Sequence, residues 1–168
     1  ELVQKTAMDV YGSHKVTLLD GTEYDFGGEW KTISMYDSLS EALGEEIVPN
    51  GGPDNPGTSV EHLGEIADKL GVERDDVENH GKLVEHLWEH FYEDKLYEPT
   101  FVRDFPVETS PLVKGHRNKA GVVEKWDLYV RGFELATGYS ELNDPIVQRE
   151  RFVAQAKDAL AGDEEACD

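Results

Sequence analysis

Three carboxylates recur along one short stretch of this chain: Asp127, Glu134 and Glu141, with Thr137 and Tyr139 between the last two. Trp126, Leu128 and Val130 alternate with Asp127, Tyr129 and Arg131, which is the period of a β-strand. If Arg131-Gly132 forms a two-residue turn, Val130 pairs with Phe133 and Tyr129 with Glu134. Directly paired side chains share a face, so Asp127 and Glu134 point the same way as diagonal neighbours, roughly 7 Å apart. Oxygen ligands at that separation suit a hydrated magnesium ion or a metal bound through phosphate. Glu141 lies an odd number of residues past Glu134, so strict alternation sends it to the opposite face. A bulge over residues 136–138, where Gly138 favours one, brings Thr137, Tyr139 and Glu141 onto the same surface. Carboxylates so close repel one another, so the pattern predicts cations in the working state. The plainer alternative is a pair of exposed strands whose acids are simply solvated.

Such strands need a sheet and a core behind them. Residues 1–11 read as the end of a helix through Leu2, Ala7 and Val10. Residues 14–19 and 22–26 flank Asp20-Gly21, a pair suited to a two-residue hairpin turn, and Gly27-Gly28 closes the unit. Ser34-Met35-Tyr36-Asp37 reads as a capping box opening a helix with Met35, Leu39 and Leu43 on one face. The Gly-, Pro- and Asn-rich stretch 44–57 predicts a loop. Thr58 with Glu61 opens a second helix, with Val60, Leu63, Ile66 and Leu70 as its stripe and Gly71 as its stop. A third helix spans about 80–96 and buries Leu83, Leu87, Trp88 and Phe91. Residues 100–105 read as a strand, 114–120 as a mobile basic loop and 133–143 as another strand. Asp144 caps a last helix that has Pro145 at its first position and runs through Ile146, Val153, Ala156 and Leu160 to Gly162. The fold class expected is α+β, a mostly antiparallel sheet flanked by helices.

Composition sets the outer bounds. The 168 residues are 38% hydrophobic and 31% charged, which predicts a soluble globular domain with a real core. No apolar run reaches the roughly 18 residues a membrane helix needs. The start, Glu1-Leu2-Val3-Gln4-Lys5, lacks the layout of a signal peptide, and the missing Met suggests that the chain begins within a longer protein. The single cysteine, Cys167, excludes an internal disulfide framework, fits a reducing cytoplasm and reads as an inert surface thiol. With 36 acids against 16 Lys and Arg, the formal charge is −20, so this segment alone should bind nucleic acid poorly.

Residues 124–145 resemble the signature of the class II lysyl-tRNA synthetases. That pattern has an acid on one strand, a Gly-x-Glu turn, then a strand ending Tyr/Phe-Ser-Glu-Leu-Asn-Asp-Pro and a helix beginning Gln-Arg. Tyr139-Ser140-Glu141-Leu142-Asn143-Asp144-Pro145 matches it fully, and Gln148-Arg149-Glu150-Arg151-Phe152 follows at the right distance. Pro99-Thr100-Phe101-Val102-Arg103-Asp104-Phe105-Pro106 and Glu108-Thr109-Ser110-Pro111-Leu112 resemble the preceding family strand and loop. The aspartyl and asparaginyl enzymes share the strand-turn-strand but not Tyr-Ser-Glu-Leu-Asn-Asp, so lysine is the amino acid implied.

The resemblance implies part of a class II catalytic domain over 1–168, with a helical insertion over about 34–98, site strands over 99–144 and a C-terminal helix over 145–161. It implies a cytoplasmic, homodimeric enzyme that makes lysyl-adenylate from lysine and ATP, with Mg2+, and passes lysine to tRNA(Lys). Carried over, Asp127 and Glu134 would hold magnesium near the ATP phosphates, Glu141 would bind the ε-ammonium of lysine, Tyr139 would line the side-chain pocket and Thr137 would lie near the substrate carboxylate. The family often has Glu, Asn and Arg where Asp127, Thr137 and Phe133 stand. Neither the Phe-Arg-x-Glu segment of motif 2 nor the Gly-x-Gly-x-Gly-x-x-Arg segment of motif 3 occurs here, and no residue is assigned a catalytic role. These residues alone are therefore not expected to activate lysine.

Other readings stay open. His86 and His90 lie one helical turn apart, but Leu87 stands where a zinc protease helix needs Glu, so they read as a surface or half-buried pair. Lys114, His116, Arg117 and Lys119 form a basic run that is either an ordinary solvated loop or one near ATP or the tRNA end. An acidic, non-catalytic α+β binding module is the second functional class, and a synthetase paralogue acting on a non-tRNA acceptor is a third.

Overall fold

A computed structural model of the protein describes residues 1–75 and 78–160; Cys167 and the expected helix stop at Gly162 lie outside the described residues. The chain forms two compact units, Glu1–Lys31 and the part from Thr32 onward.

In the first unit, α1 (Leu2–Tyr11) ends at Gly12, whose φ of 69° is the left-handed conformation glycine tolerates. A hairpin follows, β1 (Lys15–Thr17) against β2 (Glu23–Asp25), with Val16 opposite Tyr24. Its loop has three residues, 19–21, where the sequence suggested a two-residue turn: the Leu18 N–H donates to the Thr22 carbonyl at 2.8 Å and the Gly21 N–H to the Leu18 carbonyl at 2.9 Å. Leu19-Asp20 make the turn and Gly21, at φ 83°, takes the left-handed position after it.

The second unit packs three helices against a four-stranded sheet of order β3-β4-β5-β6. The strands are β3 (Lys31–Ser34), for which the sequence carries no clear alternation, β4 (Thr100–Arg103), β5 (Lys125–Val130) and β6 (Phe133–Tyr139). β4–β5 and β5–β6 are antiparallel. The helices and the sheet give the expected α+β class.

Caps place the helices. Ser34 accepts from the Asp37 N–H and opens α2 (Met35–Leu43), as expected. The cap of α3 (Val60–Leu70) is Ser59, accepting from the His62 N–H at 3.2 Å, one residue beyond the Thr58 anticipated. Thr58 is diverted because its hydroxyl accepts from the Val48 N–H at 2.9 Å, tying down the 44–57 loop. Asn79 caps α4 (His80–Tyr92), and a single 3-10 turn, Glu93–Lys95, follows. Leu39, Leu63, Ala67, Leu83, Val84, Leu87 and Trp88 meet Val102 and Tyr129 of the sheet in one core. Leu70, expected in the α3 stripe, is partly exposed, and Ala67 takes its place. Asp144 caps α5 (Pro145–Leu160), accepting from the Ile146 N–H at 2.9 Å. The apolar residues along that helix, Ile146, Val153 and Leu160, are exposed.

Candidate functional site

Backbone register decides which side chains can meet. Tyr129 pairs with Glu134 and Val130 with Phe133, the pairing expected from an Arg131-Gly132 turn. Both turn residues are left-handed, at φ 58° and 77°, as the tight hairpin geometry requires. Leu128 then pairs with Ala136, so Leu135 is the extra residue of a β-bulge. The bulge therefore falls just before the 136–138 stretch expected and uses no glycine. Gly138 has another duty: the Trp126 ring crosses it so closely that a Cβ there would lie 2.4 Å from Cζ2.

Past the bulge, Asp127 pairs with Thr137 and Lys125 with Tyr139. Paired residues share a face, so Lys125, Asp127 and Tyr129 lie on the side that carries Glu134, Thr137 and Tyr139. Glu141 bridges to Val113 two residues beyond Tyr139, which keeps it in the same parity. That bridge is anchored from α5: the Arg151 guanidinium donates to the carbonyls of Ser110, at 3.1 Å, and of Val113.

The acids on this face differ sharply in burial. Glu134 and Glu141 are exposed, as are Thr137 and Tyr139, but Asp127 is only 1% exposed. The reading in which all these acids are simply solvated therefore fails at Asp127. Its Oδ2 lies 2.9 Å from the Lys125 ammonium, while its buried Oδ1 has no hydrogen-bond partner. A buried carboxylate oxygen without a partner is costly, and a water or a cation is what would satisfy it. Tyr129 reports the same crowding. Burial raises the pKa of its phenol, and the charges of Asp127 and Glu134, with Glu93 and Glu89, raise it further.

Among the described residues no three His, Cys, Asp or Glu are grouped to hold a metal by themselves. Asp127 and Glu134 share this face, and a magnesium ion commonly uses one or two carboxylates, completing its shell with water and phosphate oxygens.

Neighbouring groups went unnoticed in the sequence. Lys125 was findable, since it stands two residues before Asp127 on an alternating strand. Glu85 was not, because its half-burial on α4 depends on packing. Burial pushes its carboxyl up to about 7; the Thr109 hydroxyl, donating at 2.7 Å, and Lys125 pull it down, and Glu89 and Asp127 oppose them.

A cleft of about 810 Å³ opens beside the face, with Arg103, Arg117, Lys125, Trp126 and Tyr139 in its wall. The basic run is largely neutralised within this unit. Arg117 grips Glu124 at 2.6 Å and holds that carboxyl down at about 2, helped by Ser140, and Lys119 pairs with Asp104 at 2.7 Å. His86 and His90 line a separate acidic hollow with Asp75 and Glu89.

A family model described as tRNA synthetases class II (D, K and N) matches residues 1–168. A lysine–tRNA ligase of Kineococcus radiotolerans is 65% identical over 98% of this chain, and one of Mycolicibacterium gilvum is 62% identical over 99%. A lysine–tRNA ligase 2 of Methanosarcina mazei is 43% identical over 98%. The chain spans about a third of these relatives, 32% of the first two and 31% of the last. On the family match over its whole length and on these identities, the chain belongs to the class II tRNA synthetases of the D, K and N group.

Proposed function

We propose that this chain is the lysine- and magnesium-binding part of a lysine–tRNA ligase, an enzyme that activates lysine with ATP and transfers it to tRNA(Lys). The single observation that carries the reading is the β5–β6 register, which sets Asp127, Glu134, Thr137 and Tyr139 on one face with an unpartnered Asp127 oxygen inside it. The ligase names of the relatives support the choice of lysine.

Asp127 and Glu134 hold magnesium, which neutralises charge on the ATP phosphates when bound. Glu141 receives the lysine ammonium, Tyr139 lines the side-chain pocket and Thr137 lies near the substrate carboxylate. A carboxylate matched to an ammonium is left unpaired by a neutral side chain, which gives strong discrimination. The whole protein works as a cytoplasmic homodimer, and the parts that grip the α-phosphate and the tRNA lie outside these residues.

The test is calorimetry on the full-length protein with lysine, ornithine and arginine. Glu141→Gln is expected to lose most of the preference for lysine, at least about tenfold. Preference unchanged in that variant would remove Glu141 from the pocket. A parent protein without any preference for lysine would favour an acidic binding module instead.

A further inference from the structure

Lys125 is a cation already built into the face where the reading above puts a metal. Its ammonium lies 2.9 Å from Oδ2 of Asp127, with 23% of its side chain exposed. The Phe105 ring backs it, with the ammonium 4.2 Å from the ring centroid, an attractive contact for a cation. Strand pairing places it opposite Tyr139, so it borders both the carboxylates and the pocket wall. Asp127 is thereby divided: one oxygen is engaged by a side chain of its own strand, and the other is buried without a hydrogen-bond partner.

We propose that Lys125 is a positioning residue that occupies one oxygen of Asp127, leaves the other to the metal, and makes the site hold a divalent cation only together with phosphate. The proposal rests on the reading of Asp127 as a metal ligand. Asp127 and Glu134 alone carry two negative charges, enough to attract a free divalent ion. A fixed ammonium beside Asp127 cancels one of them and repels the ion directly. Triphosphate restores the missing negative charge, and magnesium favours such shared coordination over an all-protein cage. Lys125 also limits Asp127 to contact through a single oxygen, since its second oxygen is already engaged.

Manganese(II) titrated into the full-length protein without nucleotide, with the free ion counted by electron paramagnetic resonance, tests this. Lys125→Gln, which keeps a hydrogen-bonding head for the buried carboxylate, is expected to bind manganese about tenfold more tightly than the parent. Lys125→Arg retains the charge and should match the parent within about twofold. Lys125→Met is made alongside, so that one neutral variant failing to fold leaves the comparison intact. Asp127→Asn in the Lys125→Gln background should abolish the gain. Equal or weaker binding in folded Lys125→Gln, with Asp127→Asn still lowering it, overturns the proposal and spares the metal reading. Tight binding that survives Asp127→Asn overturns the metal reading itself.

Discussion

Glu85 receives one short hydrogen bond, from the Thr109 hydroxyl at 2.7 Å, and is half-buried on α4. Its carboxyl is pushed from 4.5 to about 7, chiefly by burial. Between those values the unfolded chain has released this proton while the folded chain still holds it. Folding stability due to Glu85 therefore falls as pH rises through that window and levels off above it. Glu85→Gln removes the penalty. Urea unfolding should show a smaller loss of stability between about pH 4.5 and 8, with a gain at the upper end on the order of 3 kcal/mol at most. An unaltered pH slope would mean that Glu85 is solvated in the folded chain. Burial also singles out Asp127, whose Oδ1 lies inside a packed face without a hydrogen-bond partner and calls for a water or a cation to satisfy it.

The β5–β6 hairpin is the element on which the site depends. Its turn places Arg131 and Gly132 at positive φ, and a Cβ on Gly132 would stand 3.0 Å from the Asp94 carbonyl oxygen. Gly132→Ala should therefore cost about 1–2 kcal/mol of stability, read from the denaturant midpoint. Arg131→Asn tolerates the left-handed position better, and neutrality or a gain of up to about 1 kcal/mol is expected. A harmless Gly132→Ala would argue against the tight turn and, with it, against the Tyr129–Glu134 pairing. Helix caps followed local rules in the same way, and Thr58 strayed only because a distant backbone group, the Val48 N–H, claimed its hydroxyl.

Across the whole chain, a formal charge of −20 means that most acids repel one another rather than meet a partner. Local pairs such as Arg117–Glu124 weaken in salt, but they are far outnumbered by unmatched acids. Raising ionic strength from about 10 mM to about 0.15 M should thus raise the thermal midpoint of the protein. A midpoint that falls would show that specific ion pairs outweigh the general repulsion.

Turn residues, caps and alternation were readable because they are short-range: each depends on the φ preference or spacing of residues a few positions apart. They sufficed for the helices, for the Tyr129–Glu134 register and for a bulge that returns Thr137 and Tyr139 to the face of Asp127. The sequence could not say which face of β5 would turn to the core. That depended on Trp88, brought from α4 to within 5.6 Å of the Tyr129 ring centroid. The burial of Asp127, the raised carboxyl of Glu85 and the seat of the bulge at Leu135 were likewise visible only in the folded chain. Desolvation is set by atoms distant along the chain, so the strength of each charge in this site is a property of the tertiary structure alone.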